Sequence, residues 1–135
     1  MKRSTTMLAL VALMLAGPTG AQTAKAPTVK EIMARVNKPG GSFFQIAREL
    51  KQDEPGWNEL QSQAKELAQL AALLGKSPPP RGEKASWEKL AKTYADNAVA
   101  VQQAIDNRDR KAALAAVAVL GDAASCKACH AAHRK

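Results

Sequence analysis

Apolar residues return every three or four positions along most of this chain, and no segment alternates with the two-residue period of a half-buried strand. Thr28-Val29-Lys30-Glu31 has the form of a capping box, so a first helix should open there with Val29, Ile32, Met33 and Val36 on one side. Asn37-Lys38-Pro39-Gly40-Gly41 stops it. Ser42-Phe43-Phe44-Gln45 fits the same capping pattern and starts a short helix that presents Phe43, Ile46, Ala47 and Leu50. Beyond the turn Asp53-Glu54-Pro55-Gly56, the residues Leu60, Ala64, Leu67, Ala71 and Leu74 recur at helical spacing and form one apolar stripe. The stretch from Gly75 to Gly82 contains Pro78, Pro79 and Pro80 in succession and can only be a loop. Ser86 is placed to cap a long helix whose stripe is Trp87, Leu90, Tyr94, Ala98, Val101 and Ile105. Asn107-Arg108-Asp109 interrupts the pattern, and Asp109 can cap a last helix on which Leu114, Val117, Gly121, Ala124 and Ala128 make a narrow face of small residues.

These elements predict an all-α domain over residues 28–135, an antiparallel four-helix bundle whose first helix is broken in two. Residues 22–27 read as a flexible leader. Ahead of them, Lys2 and Arg3 precede an apolar run from Met7 to Ala16 that is too short to span a bilayer, and Pro18-Thr19-Gly20-Ala21 offers small residues for cleavage after Ala21. Residues 1–21 are therefore expected to be an export signal, and the mature chain a periplasmic protein without a transmembrane segment.

The formal net charge is +8, and removal of Lys2 and Arg3 still leaves a basic excess. A basic exported protein can steer toward acidic partner surfaces, although a solvated helical surface of mixed sign accounts for the same composition. No recognisable motif points to nucleic acid.

The most specific chemistry lies near the C-terminus, in the run Cys126-Lys127-Ala128-Cys129-His130, which holds both cysteines of the chain. Its spacing is that of a covalent c-type haem attachment site. On a helix, residues three and four apart share a face, so two thiols can reach the vinyl groups of one haem while His130 turns toward the iron. Two other readings compete. A redox disulfide would sit in a βαβ context, which the pattern lacks. A zinc site could recruit His133 as a fourth ligand, but all four donors would come from one helical stripe, whereas a tetrahedral ion needs ligands from more than one direction. Export agrees with haem, because unprotected cysteine pairs oxidise outside the cytoplasm.

A Cys-x-x-Cys-His run on the last helix of an exported helical chain resembles the class II c-type cytochromes, the group of cytochrome c-prime and its low-spin relatives. In that pattern the proximal histidine, here His130, is followed four residues later by a basic residue, here Arg134. The resemblance implies one haem c joined through Cys126 and Cys129, His130 as proximal iron ligand, and Arg134 beside a propionate or the proximal side. It also implies redox partner proteins, an electron-transfer or gas-binding role without bond-making catalysis, and the dimer through the first two helices that many relatives form. Two departures stand out: His133 occupies a position that is often aromatic, and the first helix carries the Asn37 to Gly41 break where relatives are continuous.

The class divides by what lies opposite the proximal histidine. A methionine there gives a closed, low-spin iron suited to electron transfer, and an open position gives a five-coordinate iron that binds nitric oxide or carbon monoxide. Met1, Met7 and Met14 leave with the signal, so Met33 is the one methionine available, on the apolar side of the first helix. It is either the distal ligand, as in the low-spin relatives, or a flexible core filler. His133 lies one turn beyond His130 on the same side of the porphyrin and is expected to be a solvated residue at the helix end. Arg134 is expected to be a helix-end cation or a propionate partner, while Lys30 and Lys38 would need to lose a proton to bind iron. Trp87 and Tyr94 belong to the core stripe and could touch haem; Phe43 and Phe44 could cover its distal edge.

Overall fold

Thr28 begins the first helix as its sequence requires. Its backbone N–H donates to Glu31 Oε2 at 2.7 Å, and the Glu31 N–H donates back to Thr28 Oγ1 at 3.3 Å. The computed structural model describes residues 25–135, so the export signal at 1–21, its cleavage after Ala21 and the first part of the leader lie outside the described residues. Among the described residues every regular element is a helix: α1 (Val29–Asn37), α2 (Ser42–Glu49), α3 (Trp57–Leu74), α4 (Lys84–Asp106), α5 (Arg110–Leu120) and α6 (Ala123–His133). The first arm is thus broken as the Pro39-Gly40-Gly41 turn predicts, and the last arm is broken as well.

The α1 to α2 break is tight. Gly40 has φ +85°, and a Cβ on Gly41 would stand 2.5 Å from the Val36 carbonyl oxygen, closer than any side chain can come. This approach shifts the helix start. Gly41, not Ser42, is the N-cap and provides no side-chain cap, while Ser42 sits inside α2 with its Oγ buried and unpartnered. The expected Ser42 capping box therefore does not form. Ser86 does not cap either: α4 opens earlier, at Lys84, and the Ser86 hydroxyl is engaged elsewhere.

Buried apolar side chains come from five of the helices. They include Ile32 and Val36 of α1, Ile46 of α2 and Leu50 at its C-cap, the α3 stripe from Leu60 to Leu74, Trp87, Ala98, Val101 and Ile105 of α4, and Ala113, Val117 and Leu120 of α5. Full burial of each large aliphatic side chain contributes about 1.5–3 kcal/mol, so the packing of α3 against α4, flanked by α5, supplies most of the cohesion. Arg110 Nε adds a polar tie from the start of α5 to the Leu50 carbonyl at 2.8 Å.

The last arm departs from the expected single helix. A Cβ on Gly121 would fall 2.5 Å from Cζ of Phe43, so the small residue at this position admits the Phe43 ring. Gly121 closes α5, and Asp122 restarts the chain by accepting the Ser125 N–H at 2.7 Å. The expected narrow face is not buried along its length: Leu114 on α5 is 37 % exposed, and past the break Ala124 and Ala128 lie open to water. By length and composition the stretch Arg110–His133 is apolar enough to cross a membrane, yet its α5 half is packed on α4.

Candidate functional site

The sequence-predicted residues lie on three helices, α6, α1 and α4. On α6, Cys126, Cys129, His130 and His133 follow one another at intervals of three, one and three, so they share a stripe that runs down the helix. Asp122 fixes the upper end of that helix, and the Ser125 amide holds its carboxyl below the ordinary carboxylate value. Both thiols are free; Cys126 is exposed and Cys129 is half-buried against the core. Burial pushes the Cys129 thiol up, with Cys126 adding to the rise, so it stays protonated at neutral pH. His130 presents its imidazole to solvent directly beside Cys129.

The lower end of α6 corrects the expectation for His133. Far from being solvated, it is 2 % exposed and held on every side. Nδ1 lies 2.8 Å from the Arg81 carbonyl oxygen, and Nε2 lies 3.2 Å from Ser86 Oγ. A carbonyl can only accept, so Nδ1 carries a proton and donates to it, and the Ser86 hydroxyl pairs with Nε2. The ring stands edge-on to Trp87 at 5.4 Å, and the Trp87 indole N–H donates to the Ser77 carbonyl at 2.8 Å. Arg81 reaches over to the Ala131 carbonyl at 2.5 Å. Gly82, with φ +79°, passes so close that a Cβ would be 2.7 Å from the Ala132 oxygen. The proline loop therefore clamps the end of α6, a function that its composition alone did not signal.

Arg134 sits just past the helix as its C-cap, its backbone N–H donating to the His130 carbonyl at 3.0 Å and its guanidinium exposed. The arginine that grips this end is Arg81, which sequence reasoning missed. With His133 turned onto the loop, the four-donor zinc arrangement loses a ligand, and among the described residues no three His, Cys, Asp or Glu side chains converge as a metal site.

On α1, Met33 is half-buried. Asn37, one turn later, donates through Nδ2 to Met33 Sδ at 3.5 Å and to the Tyr94 hydroxyl of α4 at 3.4 Å. Burial raises the Tyr94 phenol above its ordinary value, Asn37 partly offsets this, and Cys126 and Cys129 lie near enough for their charge to raise it further. Met33 is thus linked through Asn37 to Tyr94, which lies within electrostatic reach of Cys126 and Cys129. Trp87 takes its core place, Phe43 fills the Gly121 notch, Phe44 stays 48 % exposed, and Lys30 and Lys38 point to solvent. A cleft of about 390 Å³ lies apart from these residues, at the α1 to α2 break between Arg35, Ser42 and Glu66.

This donor set fits a covalently held haem. Two accessible thiols one turn apart, an adjoining exposed imidazole and the open alanines Ala124 and Ala128 offer attachment, ligation and a low surface against which a flat macrocycle can lie. Comparison with protein families, with curated proteins and with solved structures finds no match.

Proposed function

We propose that this chain is an exported monohaem cytochrome of the class II kind that passes single electrons between protein partners. In this reading Cys126 and Cys129 form the thioether links, His130 is the proximal ligand, Met33 is the distal ligand, and the helices form an antiparallel bundle around one face of the porphyrin. A bound haem c supplies the one-electron iron couple. The chain itself anchors the macrocycle, selects the axial donors and keeps water from one side of it. Its basic excess suits acidic docking surfaces on the partners, and no residue set suggests a nucleophile or an acid–base pair. The signal-like residues 1–21 support a periplasmic location.

The observation that carries this reading is the accessible Cys126-x-x-Cys129-His130 stripe, with Met33 linked to its neighbourhood through Asn37 and Tyr94. A second reading also has support. Met33 packs against the hydrophobic core, and if it stays there as a core residue the sixth position opens to nitric oxide or carbon monoxide, as in cytochrome c-prime.

A pyridine haemochrome assay on protein matured in an exporting host tests for haem c first, and absence of the signal removes both readings. The ferric absorption spectrum then separates them. For the electron carrier, the weak long-wavelength band of sulfur-ligated iron is present, Met33→Ala abolishes it, and only the variant binds carbon monoxide readily when reduced. A native ferrous protein that takes up carbon monoxide at full stoichiometry, with no sulfur band, assigns the gas-binding role instead.

A further inference from the structure

Met33 has a thioether on an unbranched stem with several rotatable bonds, and half-burial restrains it on one side only. Packing therefore does not decide where its sulfur lies. Asn37 supplies what packing does not. It is the last residue of α1, on the same face as Met33, and its position is set by the way that helix ends: the Lys38 N–H donates to the Ala34 carbonyl and the Gly41 N–H returns to the Lys38 carbonyl at 2.7 Å.

The Asn37 amide has two N–H hydrogens, and the structure gives each an acceptor, Met33 Sδ and Tyr94 Oη. A thioether sulfur accepts and never donates, so the amide must turn its nitrogen toward it. Tyr94 holds that orientation from α4. The hydrogen bond also changes the sulfur chemically. It draws electron density from the thioether, which weakens donation to ferric iron more than to ferrous iron and so favours the reduced state.

We propose that Asn37 is a positioning residue that aims the Met33 thioether and weakens it as an iron ligand, and that Tyr94 holds the Asn37 amide in place for this purpose. This rests on the assignment of Met33 as distal ligand made above. It adds a control of potential that a core-filling methionine would not need.

The test is made on the haem-loaded protein with Asn37→Leu, which keeps the volume and removes the donor, and with Tyr94→Phe, which keeps the ring and removes the acceptor. Midpoint potential and the sulfur-to-iron band are read together, with thermal unfolding as the check on folding. Asn37→Leu lowers the midpoint potential and displaces the band, and Tyr94→Phe shifts both in the same direction by less. Should Asn37→Leu fail to assemble, Tyr94→Phe alone decides by the same two readouts. A band that persists with an unchanged potential in the folded variants overturns the role of Asn37 while leaving Met33 as ligand. A native protein without the band overturns the Met33 assignment and, with it, this inference.

Discussion

In α3 each turn seals an apolar side chain from water, whereas α6 seals a single residue, and that residue is a histidine. The first helix is held by the exclusion of solvent over Leu60, Ala64, Leu67, Leu70, Ala71 and Leu74. The second is held by directed polar bonds at its two ends, Asp122 above and the Arg81, Ser86 and Trp87 cradle of His133 below. Apolar packing has no preferred direction and scales with area, so it makes a frame. Hydrogen bonds fix position and little else, since each contributes only about 0.5–1.5 kcal/mol net. The helix that carries the candidate site is thus positioned accurately but bound to the frame weakly, and the two can be perturbed separately.

The largest expected effect lies in the frame. Leu67 has no exposed surface, so Leu67→Ala leaves a cavity and should destabilise the protein by about 3 kcal/mol, measured by urea unfolding. Where the variant still folds, the spectrum of the haem proposed above should be unchanged, because the α3 backbone packs along α1, α2 and α4 and not along α6. A spectrum that moves with Leu67→Ala would break the separation of frame from site.

The same contrast explains what could be read from the sequence. The stripes of α3 and α4 were legible because packing obeys periodicity, and Leu60, Ala64, Leu67, Ala71, Leu74, Trp87, Val101 and Ile105 are buried where the spacing puts them. The stripe of Cys126, Cys129 and His130 was legible as one helical face because residues three and four apart lie on the same side, and its reading as a haem attachment site is the proposal made above. The clamp was not. His133 meets Arg81 and Ser86 only through tertiary structure, about fifty positions away, and nothing local distinguishes a clamped histidine from a solvated one. Nor did the small face of the last arm disclose that Gly121 makes room for Phe43 and that α5 ends there, before α6 begins. Asn37 was read as a helix stop, which it is, and its side chain carried no separate signal.

A middle-sized effect tests the clamp directly. His133→Ala removes the two hydrogen bonds that tie α6 to the Arg81 carbonyl and the Ser86 hydroxyl and empties the buried space beside Trp87, at a cost of about 2 kcal/mol. Gly82→Ala attacks the same junction from the loop, through its positive φ and its approach to the Ala132 oxygen, for about 1–2 kcal/mol. In both variants hydrogen exchange should quicken at the amides from Cys129 to His133 well before it does in α3. Equal acceleration in the two helices would mean that α6 is part of the frame after all.

The smallest effect concerns the upper end of α6 and appears only in acid. Asp122 holds the Ser125 N–H, and this bond lowers its carboxyl from the ordinary 3.8. The unfolded or frayed chain has the ordinary value, so the cap contributes in full above that pH and is lost as pH falls through the lower folded value. Glu31 titrates in the same direction at the start of α1, held by Thr28, and Glu31→Gln removes its share from the measurement. In that background the Ser125 amide resonance of the reduced protein should titrate with a midpoint below 3.8 as α6 frays from its first turn. Asp122→Asn keeps an acceptor oxygen that does not titrate, so its Ser125 resonance should stay level through the same range. Identical acid profiles in the two proteins would show that α6 is not held at its upper end by Asp122, and its polar attachment would then rest on the lower end, on His133 and Arg81.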